Sequence, residues 1–107
     1  MMNSLQIEFR DCDPSSAVRS SIEQEFERLE LHDHRITSGR VTVTSPGGQQ
    51  RHGAGFQVHI LLTMPPNENI VVSHSPEDES RSEHAGTAVK DAFAVARRQI
   101  DDRRGRN

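Results

Sequence analysis

Apolar and polar residues alternate near the start of the chain, which predicts a β-strand over Leu5–Arg10. Leu5, Ile7 and Phe9 lie on one side of this segment, and the residues between them are polar or charged. A period of two places successive side chains on opposite faces of a sheet. We therefore expect a strand that is buried on one face and exposed to water on the other.

A period of three to four residues follows and predicts an amphipathic helix over 14–31. Asp13 and Pro14 fit an N-cap and a proline in the first helical turn, where the missing N–H of proline costs nothing. The apolar face of this helix consists of Val18, Ile22, Phe26 and Leu29. The opposite, water-facing side is acidic and carries Glu23, Glu27 and Glu30.

Three more segments have strand character: Arg35–Ser45, Phe56–Met64 and Glu68–Ser73. Short connections between the last three strands predict an antiparallel meander. The middle segment has one apolar face and one mostly polar face, and Leu61 is the apolar residue on the polar face. The glycine-rich stretch 46–54 predicts a flexible loop.

A second helix is predicted over about 82–103, because residues 80–83 fit a capping box and apolar residues then recur at helical spacing. Those apolar residues are Ala85, Val89, Ala92, Phe93, Ala96 and Ile100. Residues 103–107 are expected to form a disordered tail. The chain, 1–107, is then a single α+β domain of order β-α-β-β-β-α, with one four-stranded sheet and both helices packed on one face.

The composition restricts the class of protein. Of the 107 residues 32% are hydrophobic, and no apolar run approaches the roughly 20 residues of a membrane-spanning helix. The N-terminus has neither the basic region nor the long apolar region of a secretory signal. The single cysteine, Cys12, excludes an internal disulfide and a multi-thiolate zinc site. We expect a cytoplasmic protein with no membrane partner.

The net charge of -3 is unevenly distributed along the chain. Residues 1–34 carry eight acids and three arginines, and residues 67–83 carry five acids and one arginine. By contrast, residues 35–66 carry three arginines and no acid, and residues 84–107 carry six bases and three acids. Arginine suits planar contacts with phosphate. The two basic segments therefore fit either contact with RNA or an ordinary solvated surface.

No group of residues has the spacing of an active site. His32 and His34 fit a helix end, and the other four histidines are scattered without the spacing of metal ligands. Cys12 has no base beside it in sequence, and the glycines near residue 50 lack the Lys-Ser/Thr of a phosphate-binding loop. We expect no enzyme activity, no metal site and no cofactor.

The second helix carries a basic stripe. Lys90, Arg97 and Arg104 are seven residues apart, so they lie within about 40° of one another beside the apolar face. The stripe is about 21 Å long, which is enough to follow several phosphates. The alternative is that these arginines neutralise nearby aspartates through i,i+4 pairs such as Arg97–Asp101.

Several segments resemble the ribosome hibernation promoting factor family, which includes the ribosome-associated translation inhibitors. They are Gln6–Asp11 with Asp13-Pro14-Ser15, Leu29-Glu30 followed by Arg35-Ile36-Thr37, Ile70–Pro76, Ala88–Phe93 and Ala96–Ile100. Their order and spacing agree over nearly the whole chain. The resemblance implies the same fold, which is similar to double-stranded-RNA-binding domains.

The resemblance implies a protein that binds the small ribosomal subunit, on rRNA in the groove for mRNA and tRNA. It also implies that the protein silences or stores idle ribosomes under stress or in stationary phase. By position the resemblance assigns RNA contact to Lys90, Arg97 and Arg98, and on looser matches to Arg19, Arg28 and Arg40. Our other candidates are Arg104 from the basic stripe and Arg51 and His52 from the acid-free loop. DNA is not an expected partner, and the chain is expected to be a monomer or a weak dimer.

Some features depart from the family pattern. The first helix is acidic where a basic surface is expected, and His84-Ala85-Gly86 stands where the family has an acid, an apolar residue and an aromatic. We expect neither the additional ribosome-pairing domain of long family members nor the acidic tail of some short ones. The alternative function is a small protein-interaction or oligomerisation module without ribosome binding, and Leu61 on the polar sheet face is the residue that favours it.

Overall fold

The structure, a computed structural model, has six elements, and their order is the predicted β-α-β-β-β-α. It describes residues 4–11, 13–44, 56–65, 68–74 and 85–104. The elements are β1 (Ser4–Arg10), α1 (Ser16–His32), β2 (Ser38–Thr44), β3 (Gln57–Met64), β4 (Glu68–His74) and α2 (Ala85–Arg104). The predicted flexible loop 46–54 and the predicted capping box at 80–83 lie outside the described residues.

The four strands form one mixed sheet in the order β1-β2-β3-β4. β1 and β2 are parallel, since α1 returns the chain to the starting end of the sheet between them. β2, β3 and β4 are antiparallel neighbours, so the predicted meander is confirmed. β1 and β4 are therefore the two edge strands.

Both helices pack on the same face of the sheet, which confirms the predicted layers. The helical part of the core consists of Ile22, Phe26 and Leu29 from α1 and Ala88, Val89, Ala92, Phe93, Ala96 and Ile100 from α2. The strands contribute Val41, Val43, Val58, Ile60, Leu62, Met64, Ile70 and Val72. α2 lies over β3 and β4, whereas α1 contacts β1 and α2. The opposite face of the sheet is open and mostly polar.

The N-terminus of α1 differs from the prediction. The helix begins at Ser16, and its N-cap is Ser15 rather than Asp13. The amide N–H of Val18 donates to Ser15 Oγ at 3.2 Å, and the backbone of Ser15 is extended, as an N-cap requires. Pro14 therefore precedes the helix. Aspartate and serine are about equally good caps, so sequence preference alone does not choose between them.

The turn after α1 shortens the predicted second strand. Asp33 ends the helix by donating its N–H to Leu29 O at 2.8 Å. Its buried carboxylate accepts hydrogen bonds from the backbone N–H of Arg35 at 3.0 Å and from the guanidinium of Arg35 at 3.1 and 2.8 Å. Because Asp33 and Arg35 are held together in this way, residue 35 belongs to the turn, and β2 starts only at Ser38.

The end of α2 also differs from the prediction. The helix continues to Arg104, so residues 103 and 104 of the predicted disordered tail are helical. Ile100 is fully buried and fixes the last turn of α2 against the core. The residues after it extend the helix, because each added residue adds one backbone hydrogen bond to a turn already formed. Residues 105–107 lie outside the described part of the chain.

Candidate nucleic-acid interface

The two helices form a groove on their outer side, and cations from both helices line it. Lys90 and Arg97 come from α2, and Arg28 comes from α1. The core residues Leu29 and Phe93 also reach the lining, so the packing of α1 on α2 fixes the separation of the cations. Two of the three predicted stripe residues thus share one site with a cation from the other helix.

The helices run side by side in the same direction. Glu25 lies across the groove from Lys90, and two turns further along, His32 of α1 contacts Asp101 of α2. The groove follows the part of the stripe between Lys90 and Arg97, and a single extended ligand there could contact cations of both helices.

Three exposed cations of α2 form no ion pair with acids in the described part of the chain. Lys90, Arg97 and Arg98 are exposed, and among the described residues none of them has an ion pair. Asp101, the partner that the alternative interpretation gave to Arg97, has its Oδ1 2.6 Å from His32 Nε2 instead. An external anion therefore does not have to displace a described carboxylate from Arg97.

Glu25 is the acidic member of the groove. Its Oε2 lies 3.5 Å from Arg28 Nη1, and its side chain is 18% exposed whereas that of Arg28 is 72% exposed. At 100° per residue, Glu23 and Glu27 lie about 140° and 100° around α1 from Arg28, on the side away from α2. The acidic face predicted for this helix is real, but most of it points away from the groove.

Arg98 and Arg104 flank the same surface. Arg98 is exposed about 100° around α2 from Arg97, on the water-facing side of the helix. Arg104 is the last residue of α2 and is in helical phase with Lys90 and Arg97. Arg98 is thus a cation of α2 outside the described groove lining, and Arg104 shares the helical phase of the stripe.

Arg19 and Arg40 lie elsewhere. Arg19 is about 180° around α1 from Arg28, and its guanidinium carbon is 5.9 Å from the centroid of the Phe9 ring. Arg40 is on the open face of the sheet, where its Nε and Nη2 donate to Gln6 Oε1 at 3.1 and 2.9 Å. These two arginines do not join the groove.

Arg51 and His52 lie outside the described residues, and their proposed contact with RNA stays a prediction. Sequence reasoning missed Glu25 and His32 as residues that shape the groove. The i,i+3 spacing of Glu25 and Arg28 is visible in the sequence. Nothing in the sequence connects His32 with Asp101, because 69 positions separate them.

His59 and His74, like His32, have structural neighbours. His59 Nδ1 lies 2.9 Å from Ser73 Oγ, and the buried His74 Nε2 lies 4.0 Å from Asp91 Oδ2. Over the described segments, no three or more His, Cys, Asp or Glu side chains are grouped to hold a metal ion. None of the described helices is long and apolar enough to cross a membrane.

The fold and the groove define a small α+β domain with a cationic helical face that is suited to an extended anion. A family model identifies the domain further. The model for the Sigma 54 modulation protein / S30EA ribosomal protein family matches residues 5–107, and the chain belongs to that family.

Two solved structures share this fold. A ribosomal subunit interface protein from Coxiella burnetii superposes with a TM-score of 0.70 at 13% identity, covering 95% of this chain and 98% of that one. The N-terminal domain of Protein Y from Thermus thermophilus superposes with a TM-score of 0.66 at 17% identity, covering 92% and 96%. At such low identity the likeness establishes the fold alone. No curated protein sequence matches this chain.

Proposed function

We propose that this protein is a ribosome-binding factor that binds rRNA of the small ribosomal subunit. One observation carries the proposal: Lys90 and Arg97 converge with Arg28 in one groove, and the two α2 cations have no ion-pair partner among the described residues. Membership of the S30EA family and the fold shared with a ribosomal subunit interface protein support the choice of partner.

The chemistry of the groove suits an RNA backbone. Arginine donates several hydrogen bonds in a planar fork to phosphate oxygens, and lysine adds a compact charge. Phosphate contacts fix position without reading sequence, which is what a protein held in a cleft of folded rRNA needs. Arg104 continues the helical phase of Lys90 and Arg97 toward the C-terminus of α2, and Arg98 adds an exposed cation on a neighbouring side of the helix.

The proposed role is to occupy the channel of the small ribosomal subunit in which mRNA and tRNA bind. In this way the protein would silence or store idle ribosomes under stress or in stationary phase. Occupancy alone is sufficient for that role, and no bond has to be made or broken. The role places the protein in the cytoplasm. It agrees with a binding surface built on two rigid helices rather than on a catalytic pocket.

The test measures binding to purified small subunits at several salt concentrations. With about four to six phosphate contacts, the slope of log affinity against log salt is expected between about -3 and -5. Substituting both Lys90→Gln and Arg97→Gln should flatten the slope by about 1.5 units, because two phosphate contacts are lost. Folding should be unchanged, since both side chains are exposed.

The matched control is the double variant Glu23→Gln, Glu27→Gln, which changes two exposed charges away from the groove. Its affinity should be unchanged or slightly higher, because these acids can only repel phosphate. If the groove variant binds with unchanged slope and affinity, the groove is not the RNA site. If the unmodified protein does not bind small subunits at all, the interaction-module alternative replaces ribosome binding.

A further inference from the structure

The strand β4 is an edge strand, and within the described part of the chain its residues 69–73 lack the usual protection against pairing. Its backbone pairs with β3 on one side only, and no described element lies beyond it in the sheet. Val71, at its centre, is 50% exposed, and among the described residues only Leu31 is a more exposed large hydrophobic side chain. An exposed edge offers unpaired backbone N–H and C=O groups to another strand.

The two edges of the sheet differ in this respect. β1 carries exposed charges, with Arg10 Nε 3.3 Å from Glu8 Oε2. Residues 69–73 of β4 are Asn-Ile-Val-Val-Ser, with no charge and no proline. All seven residues of β4 pair with β3 in unbroken register, so no bulge twists the edge away. Charges, prolines and bulges are the features that normally keep edges apart.

We propose that β4 pairs antiparallel with β4 of a second copy of this chain, about a two-fold axis at Val71. This register places Ile70 opposite Val72 of the second copy and Asn69 opposite Ser73 of the second copy, so apolar residues meet apolar ones and polar residues meet polar ones. No like charges face each other within 69–73. A second copy is the occupant because the segment is complementary to itself in this register.

The symmetry fixes the shape of the pair. Two antiparallel edge strands in one sheet are related by an axis perpendicular to that sheet, so the four strands of each copy join into eight. Leu61 lies beside Val71 in the sheet, and the axis brings Val71 next to Val71 of the second copy, so the two pairs form one apolar row on the open face. The helices of both copies then lie on one side, and both cationic grooves face the same direction.

The contact is small, because it consists of one strand and one row of side chains on each face. Interfaces well below the standard size give weak complexes. We therefore expect a dimer that forms at high protein concentration and dissociates on dilution. This proposal does not depend on ribosome binding.

The test introduces a single cysteine into a Cys12→Ser background, either as Val71→Cys or as Leu31→Cys. Opposed residues of antiparallel strands have Cα atoms about 4.5–5.5 Å apart, which a disulfide can bridge. Oxidation should link the Val71→Cys protein at least about tenfold faster than the Leu31→Cys protein, because pairing raises the effective concentration of the two thiols. Equal rates for the two variants would overturn the proposal.

Sedimentation of the protein without introduced cysteines provides an independent measurement. Its average mass should rise with concentration, and Val71→Lys should abolish that rise while the circular dichroism stays unchanged, since the side chain is half-exposed. A constant monomer mass for the unmodified protein, or association that persists in Val71→Lys, would contradict pairing through β4.

Discussion

Gly39 lies in β2 directly beneath the ring of Phe26 in α1. A Cβ atom at residue 39 would be 2.6 Å from Phe26 Cε1 and 3.3 Å from Leu62 Cδ2. The first distance is shorter than real Cβ contacts, the second is tight, and the Phe26 ring is buried in the core. The glycine therefore sets how closely α1 approaches the sheet.

We predict that Gly39→Ala lowers the free energy of unfolding by about 1–3 kcal/mol, because the added methyl overpacks the core. Chemical denaturation measures the change. Gly86→Ala is the matched control: a Cβ at residue 86 would meet nothing within 4 Å, and alanine favours the helix by up to about 1 kcal/mol. Equal stability of the two variants would show that α1 can shift away from the sheet without loss.

Asp33 is the buried acid of the described core, with 6% of its surface exposed. We predict that Asp33→Ala lowers the free energy of unfolding by about 1–3 kcal/mol, because the backbone N–H and guanidinium of Arg35 lose their acceptor. Asp33→Asn keeps one carbonyl acceptor and should lose less. Thermal unfolding monitored by circular dichroism compares the two, and an equal loss in both would mean that the charge, not the acceptor geometry, matters.

At the scale of elements, the contact between α1 and α2 decides which cations are available. Asp101 lies one turn after Arg97 on α2, where an i,i+4 pair could form. Its carboxylate is next to His32 of α1 instead, at 2.6 Å. His32 is therefore a positioning residue for the groove. It contacts the Asp101 carboxylate, which would otherwise compete with an external anion for Arg97.

We predict that His32→Ala weakens binding to small subunits by about twofold, since Asp101 becomes free to pair with Arg97, and such helical pairs contribute about 0.3–0.5 kcal/mol. The double variant His32→Ala, Asp101→Asn should restore the affinity, because no competing carboxylate remains. If the double variant binds as weakly as His32→Ala, the histidine acts by another route.

At the scale of the whole molecule, the candidate cations occupy two opposite faces. Lys90, Arg97 and Arg28 line the outer side of the helices, while Arg40 is held against Gln6 on the open face of the sheet. One flat RNA surface cannot contact both faces. An RNA cleft that encloses the domain can contact both faces. A contribution of Arg40 to binding therefore distinguishes a cleft that encloses the domain from an RNA surface that contacts the helical side alone.

For enclosed binding, we predict that Arg40→Gln flattens the salt slope by about 0.7–0.9 units and adds to the effect of the groove variant, because distant sites act independently. Arg10→Gln is the control, since Arg10 is another exposed arginine of the sheet, at its edge, already paired with Glu8. An Arg40→Gln slope equal to that of the unmodified protein would mean that RNA contacts the helical side alone.

The sequence by itself determined the order of the elements and much of the buried core. Val41 and Val43 in β2 and Ile22 and Phe26 in α1 follow strict periods of two and of three to four, and each is buried as predicted. Burial of apolar surface dominates the folding free energy, so these periods carry most of the information on the fold. The in-phase spacing of Lys90 and Arg97 was also visible, because helical phase depends only on sequence separation.

Only the tertiary structure decided which cations act together and which acids oppose them. Arg28 joins Lys90 and Arg97 because α1 packs beside α2 in the same direction, and Arg40 is excluded because β2 turns its polar side chains to the opposite face. His32 meets Asp101 across 69 positions for the same reason. Contacts between distant segments depend on how the layers stack, and a local period of hydrophobicity contains no information on the partner that lies above it.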